Sequence, residues 1–369
     1  MENTENMTTP PEQWESLLKA KKAAPYARVL VVDDNLTNLE IVKGLLSPYQ
    51  MQVDCVDSGK KAIDAIMDDS IIYDMIFMDI MMPEMDGVET VKHIREIGSD
   101  YTKNIPVIAV TANTVAGHEE KLLSNGFQVF IPKPIDVNKL DDTVFKWIHN
   151  RNKEKPIENS GSGSESETST HDGSTHFLQF EGINIPALNI KKGIRQFGGD
   201  ISSYIKVLRS YAINTRTVLK VLSNFNEEKI HDYEIVIHGI KGSSASICAD
   251  ELAVLGKKLE EAAKAKNINY IKENNNIFIN NAELLISQLN KMLTGIDSEN
   301  PKPQKDKPDK ELLEKLKNAC DAYEMDEVDA AIDEITKYNY SSDDGLVNWL
   351  SENIEQMNFS EIVEKLSLL

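Results

Sequence analysis

Met75-Ile76-Phe77-Met78-Asp79-Ile80-Met81-Met82-Pro83-Glu84-Met85-Asp86-Gly87 is the stretch on which the reading of this chain turns. An apolar run ends on a carboxylate and opens into a turn closed by glycine, and a carboxylate at the mouth of a buried strand is costly unless it has work to do. Other apolar runs end in the same way. Val29-Leu30-Val31-Val32 is followed by Asp33-Asp34, Pro106-Val107-Ile108-Ala109-Val110 by Thr111, and Val129-Phe130-Ile131 leads to Lys133. Outward from these points, residues 28–150 alternate short Val/Ile-rich runs with amphipathic stretches, the pattern of a parallel sheet covered on both faces. The spacing predicts strands near 28–33, 51–56, 73–79, 105–111 and 128–131, and helices near 35–48, 58–69, 86–97, 114–125 and 136–150.

Ligands of an open parallel sheet bind beyond the carboxyl ends of its strands, where strand order reverses. Asp33, Asp34, Asp79, Thr111 and Lys133 all belong to that edge. Three carboxylates in one pocket repel one another, so a hard divalent cation with oxygen ligands, magnesium, is expected to hold them. Asp79 then reads as a nucleophile toward a phosphoryl group, with the Thr111 hydroxyl and the Lys133 ammonium taking the remaining phosphoryl oxygens.

Val31-Val32-Asp33-Asp34-Asn35, Met78-Asp79 with the run to Gly87, Thr111-Ala112 and Lys133-Pro134 together resemble the receiver domain of two-component response regulators. The resemblance implies a flavodoxin-like five-stranded parallel fold, Asp79 as phosphoacceptor, and magnesium held by Asp33, Asp34, Asp79 and the Met81 carbonyl. It also implies Thr111 with Phe130 as a conformational switch, a cis Lys133-Pro134 bond, and an upstream histidine kinase as partner.

Composition narrows the alternatives. The chain has 369 residues, 41% of them hydrophobic, enough for two or three domains with cores of their own. A formal charge of -20 disfavours direct nucleic-acid binding and anionic membrane surfaces. Cys55, Cys248 and Cys320 are too scattered for a zinc site or a disulfide framework. The polar, acidic residues 1–6 and the lack of a long apolar run point to a cytoplasmic protein with no membrane insertion.

After residues 151–181, a Gly/Ser/Glu-rich tether, the period becomes helical throughout 182–293. Stripes such as Tyr204, Val207, Leu208 and Tyr211, then Leu252, Leu255, Leu259 and Ala263, then Ile277, Leu284, Ile286 and Leu289, predict a helical bundle. Within it, Val236-Ile237-His238-Gly239-Ile240-Lys241-Gly242-Ser243-Ser244-Ala245 places Tyr233, Val236, Ile237, Ile240, Ser244 and Ile247 on one helix side. His238 shares a different face with Glu234, Lys241, Gly242 and Ala245, so it is expected to be presented to solvent among small residues, with Lys241 one turn on. His93, His118 and His149 are expected on solvated helix surfaces.

The His238-to-Ser244 run and Leu255-Gly256-Lys257-Lys258-Leu259-Glu260 resemble the histidine-containing phosphotransfer domain. The resemblance implies His238 as phosphoryl carrier with Lys241 beside it, and other receiver or phosphotransfer domains as partners. Cys248 stands where that family often has glycine.

A Pro/Lys-rich break over 294–308 precedes an acidic helical module, 309–369, with 16 acidic and 5 basic residues, a net of -11. The leading residues 1–27 read as a frayed or docking segment. No Gly-rich nucleotide loop or ATP-dependent kinase domain is recognisable, so the chain needs an upstream phosphoryl donor. The expected architecture is therefore α/β plus all-α: a receiver domain at 28–150, a phosphotransfer bundle at 182–293 and a small all-helical tail. The expected function is a phosphorelay between Asp79 and His238, in cis or on a partner. A phosphorylation-switched binding module whose acidic tail docks an output protein, or a truncated hybrid kinase, is the alternative.

Overall fold

The computed structural model describes residues 23–68, 70–111, 122–149, 185–299, 302–322, 324–355 and 357–368. Most of the lead-in, the tether 151–181, His118 and most of the helix expected near 114–125 lie outside these residues. Among the described residues no helix is long and apolar enough to cross a membrane.

The first part is a five-stranded parallel sheet made of β1 (Arg28–Val32), β2 (Gln52–Val56), β3 (Met75–Asp79), β4 (Val107–Thr111) and β5 (Val129–Pro132), in the order β2-β1-β3-β4-β5. All five begin or end within about two residues of the positions expected from the apolar runs. Because side chains alternate along a strand, Val29 and Val31 enter one core while Leu30 and Val32 enter the other. Both faces are thus buried, which is why the strands read as unbroken apolar runs.

Helices α1 (Leu36–Leu46), α2 (Gly59–Met67), α3 (Gly87–Glu96) and α5 (Val137–Val144) start at side-chain caps: Asn35, Ser58, Asp86 and Asp136 each accept from backbone N–H groups of the first turn. A short α4 (Asp100–Asn104), capped by Ser99, was not foreseen, because five residues are too few to show a helical period. The end of α5 continues as a π turn, Phe145–His149, that buries His149 with its Nδ1 3.3 Å from the Tyr26 hydroxyl. His149 is therefore not a surface residue. His93, by contrast, is exposed between Glu89 and Glu96.

Five helices follow: α6 (Ile190–Gln196), α7 (Ile201–Ser223), α8 (Ile230–Ser246), α9 (Asp250–Lys264) and α10 (Ile268–Glu299). The Tyr204, Val207, Leu208 and Tyr211 stripe is buried; the Tyr204 hydroxyl donates to the Ile247 carbonyl at 2.8 Å, and the Tyr211 and Ser244 hydroxyls are 2.8 Å apart. On α10 the expected stripe is corrected in part. Ile277 and Leu284 are more than half exposed, while Phe278, Leu285, Ile286 and Leu289 line the core. α10 also runs on to Glu299, past the boundary read at 293. Cys248 adopts φ +67°, the left-handed region, which explains why glycine suits that turn.

The last module comprises a two-stranded parallel ribbon, β6 (Gln304–Lys305) with β7 (Asn339–Tyr340), and helices α11 (Lys310–Ala322), α12 (Met325–Thr336), α13 (Leu346–Glu355) and α14 (Phe359–Ser367). It has a core of its own around Leu316, Val328, Ile335, Leu350, Phe359 and Ile362.

The sheet and the bundle are joined through α1, which packs on β1 and β2 and also against α7 and α8. A Cβ at Gly44 of α1 would stand 3.0 Å from the Phe197 ring, so the small residue lets the bundle approach. One apolar core runs from Val31 and Leu45 through Phe197 to Tyr211. This junction brings the carboxyl edge of the sheet and the His238 face of α8 together.

Candidate functional site

β1, β3, β4 and the segment after β5 deliver Asp33, Asp79, Thr111 and Lys133 to one mouth, with Asp79 and Asp33 each 2% exposed. Asp34 completes the group: one oxygen from each of the three carboxylates lies within 4.8 Å of the others. Lys133 Nζ donates to Asp33 Oδ2 at 2.5 Å and to Asp79 Oδ1 at 3.0 Å. Asp33 Oδ1 accepts from the Asn35 backbone N–H at 2.9 Å and from Asn38 Nδ2 at 3.0 Å. Thr111 is buried, and its carbonyl accepts from the Lys133 N–H at 2.8 Å, which fixes where the lysine begins. The Lys133-Pro134 bond is cis, as the resemblance implied. Met81 lies two residues after Asp79, half-buried. Phe130 is half-buried in the second core with the Lys139 ammonium 5.0 Å from its ring centroid. The turn after Asp79 folds back so closely that a Cβ at Gly87 would stand 2.1 Å from the Asp79 carbonyl oxygen.

Charge is out of balance here. Burial, then the neighbouring Asp33 and Asp79, push the Asp34 carboxyl up to about 8. Burial pushes Asp79 up to about 7, with Lys133 pulling it back down and Asp33 adding to the rise. For Lys133 burial opposes the charge, but Asp33 and Asp79 outweigh it and raise the ammonium above its ordinary value. A cluster of three oxygen donors with one ammonium among them suits a small divalent cation that prefers carboxylate and carbonyl oxygen.

His238 departs from expectation. It is buried at 3% exposure, not presented to solvent. The bundle interior is filled by the other side of α8, through Tyr233, Ile237, Ile240 and Ser244, whereas the His238 side lies against the sheet module. A Cβ at Gly239 would meet Asn35 Nδ2 at 2.9 Å, and one at Gly242 would meet Lys133 Cδ at 3.7 Å. The small neighbours are used for close approach, and the approaching surface is this chain's own strand-end site.

Glu260 of α9, which closes the Leu255-to-Glu260 run but has no role in the expectation from sequence, is the partner of His238. His238 Nδ1 lies 2.8 Å from Glu260 Oε1, Lys264 Nζ donates to the same oxygen at 2.7 Å, and Lys241 Nζ donates to Oε2 at 2.6 Å. For Glu260 burial opposes ionisation, but the hydrogen bonds from His238, Lys241 and Lys264 outweigh it and hold the carboxyl far below its usual range. An ionised carboxylate only accepts, so the imidazole proton sits on Nδ1 and the Nε2 lone pair is free. His238 Nε2 is buried with no hydrogen-bond partner among the described residues. Burial lowers the His238 pKa; the Glu260 hydrogen bond pulls it back up, and the charges of Lys241 and Lys133 add to the lowering. His231, the other histidine of the helix, is 76% exposed beside Glu234.

Comparison with known proteins bears on the first of these two sites. A family model described as a response regulator receiver domain matches residues 29–145. The signal transduction histidine-protein kinase BarA of Escherichia coli strain K12 is 36% identical over 119 residues, covering 32% of this chain and 12% of its own length. The sensor histidine kinase GacS of Pseudomonas protegens is 36% identical over 121 residues, covering 32% and 13%. Among solved structures, the receiver domain of the sensor histidine kinase PA1611 of Pseudomonas aeruginosa, with magnesium coordinated in its active-site cleft, is 28% identical. It covers 33% of this chain and 98% of that one at a TM-score of 0.31. Residues 29–145 are thus a receiver domain homologous to the receiver regions of hybrid histidine kinases, and the match spans about an eighth of those curated relatives' length.

Proposed function

We propose that this receiver-containing chain is a phosphorelay protein in which Asp79 accepts a phosphoryl group from an upstream phosphohistidine and His238 exchanges it with Asp79 inside the same chain. The observation that carries this reading is the seating of the His238, Gly239 and Gly242 face over the Asp33/Asp79/Lys133 mouth, with Nε2 of His238 buried and unpartnered. A buried nitrogen lone pair without a donor is unfavourable unless a reacting group takes its place.

In this reading Nε2 attacks the phosphorus of the Asp79 acyl phosphate. The N–P bond forms as the Oδ–P bond breaks, and the Asp79 carboxylate is the leaving group. Positive charge develops on the imidazole, whose Nδ1 proton stays hydrogen-bonded to the Glu260 carboxylate, so no proton has to move. Lys133 and the Thr111 hydroxyl take phosphoryl oxygens on the receiver side, and Lys241 takes them on the bundle side. Magnesium held by Asp33, Asp34, Asp79 and the Met81 carbonyl would supply further neutralisation of the phosphoryl charge. The reverse transfer follows the same geometry.

The test is to load Asp79 with labelled acetyl phosphate in the presence of magnesium and to follow the label. Acid-labile, base-stable label on His238 supports the relay. Label confined to Asp79, together with changed affinity for an output protein, supports the switched binding module instead. Asp79→Asn is expected to abolish labelling, and His238→Gln to leave Asp79 labelled while blocking onward transfer. A His238→Gln chain that still passes phosphate to a downstream receiver would defeat the proposal.

A further inference from the structure

The docked arrangement has a consequence for access. Asp79 and His238 are 2% and 3% exposed, so while the bundle covers the mouth no protein donor or acceptor can reach either group. Any exchange with a partner needs the receiver and the bundle to separate. What holds them together is therefore a control point, and the C-terminal module touches both.

α12 lies along β2, the outer strand of the sheet, and α13 packs against α7 of the bundle. On α12 two acidic residues one turn apart reach to different sides of the junction. Asp329 pairs with Lys43 on α1 of the receiver, and Asp333 accepts from Lys206 on α7 of the bundle at 3.0 Å. Met357 packs against both the module's own core and the continuous receiver–bundle core. Among the described residues, the module's other buried apolar side chains belong to its own core. Its hold on the junction is mainly electrostatic, consistent with its net charge of -11, and such contacts are individually weak and sensitive to salt.

We propose that residues 309–369 act as a releasable clamp across the receiver–bundle junction, holding the chain in the form that transfers phosphate internally and shutting out other phosphotransfer partners. This rests on the relay reading for its biological meaning, but the clamp itself is a statement about geometry and can be measured alone. Release exposes both nucleophiles, and re-engagement closes them.

The experiment uses the full-length chain with Asp329→Lys and Asp333→Lys, which turn both attractions into repulsions at partly exposed positions. Dyes attached through Lys92→Cys and Lys291→Cys, on exposed faces of the receiver and the bundle, report separation; the native cysteines are buried. The open fraction is expected to rise about tenfold, to rise also with added salt in the unreversed chain, and to return when Lys43→Glu and Lys206→Glu restore opposite charges. Transfer is read in parallel by mixing Asp79→Asn chains with His238→Gln chains, a mixture in which phosphate can pass only between molecules. That intermolecular transfer is expected to rise about tenfold with both tails reversed. Unchanged dye separation on reversal overturns the clamp. If separation responds but no chain, reversed or not, ever labels His238, the relay reading has failed and the clamp stands.

Discussion

At the strand ends three carboxylates, Asp33, Asp34 and Asp79, cluster around one ammonium, Lys133, which donates to Asp33 and Asp79, whereas in the bundle one carboxylate, Glu260, is shared by Lys241, Lys264 and an imidazole. The first cluster is short of positive charge and the second is short of negative charge. Each is therefore incomplete in the direction the other can supply, and in the relay proposed above a magnesium phosphoryl complex would complete both. The difference teaches where charge is left unbalanced: the strand-end side crowds buried carboxylates around one ammonium, and the bundle side holds the His238 imidazole in one tautomer on a shared carboxylate.

Removing a partner from either cluster is the most severe way to break this contrast. Glu260→Ala leaves two ammoniums and an imidazole without their carboxylate, and a loss of about 3–5 kcal/mol in bundle stability is expected from urea unfolding. Glu260→Gln keeps an acceptor for Nδ1 but removes the charge, so transfer to His238 is expected to slow by about tenfold with a smaller loss of stability. Nitrogen-15 shifts of His238 separate the two roles, since loss of the tautomer preference marks positioning. An unchanged tautomer in both variants would remove Glu260 from the account.

The second contrast is in acid and base. On the receiver side Asp34 and Asp79 have folded pKa values above the ordinary carboxylate value, so the folded state binds protons more readily than the unfolded chain between about pH 4 and 8. Receiver stability without divalent cation is expected to fall as pH rises through that window, and added magnesium should flatten the slope. On the bundle side the sign reverses. His238 is lowered from its ordinary value of 6.5, so the unfolded state binds more protons near and below that pH, and stability is fully present above it and is lost on acidification. Glu260 acts in the same sense at lower pH. Unfolding followed separately in the two modules, by probes in each, should show opposite pH slopes; parallel slopes would contradict the assignment.

The smallest effects lie at the two glycines. Gly239→Val places a branched side chain where Asn35 Nδ2 already stands 2.9 Å from a Cβ, and internal transfer is expected to slow severalfold while Asp79 labelling by acetyl phosphate is unchanged. Gly242→Ala meets only an ordinary contact at 3.7 Å, so transfer should be unaffected and the helix gain about 0.5–1 kcal/mol. Equal effects at both positions would show that α8 does not approach the receiver in solution as it does here.

The clustering of Asp33, Asp34, Asp79, Thr111 and Lys133 was readable from sequence because each closes or follows one of four strands, and a strand end is marked locally by an apolar run giving way to a polar residue. The fold around them was readable for the same reason. The partnership of Glu260 with His238 was not, since the two lie 22 positions apart on different helices and the run that ends in Glu260 carries no local mark of which residue it faces. The burial of His238 was also hidden: helical pitch gives the face correctly, but which surface covers that face is decided by packing between modules. On α10 the stripe was misplaced because Ile277 and Leu284 are apolar yet point outward, and apolar identity alone does not fix the phase of a long helix. The ribbon of β6 and β7 was invisible because two-residue strands paired across more than thirty positions carry no periodic signal.

The seating of α8 over Asp79 has one more consequence, for time rather than geometry. Acyl phosphates decay by attack of water, and beneath α8 the carboxylate is 2% exposed. A phosphoryl group held there is expected to be stored as well as poised, with spontaneous loss limited by how often the cover lifts. The decay of label from the His238→Gln chain then serves as a clock for that breathing, and faster decay after tail charge reversal would set the clock's rate.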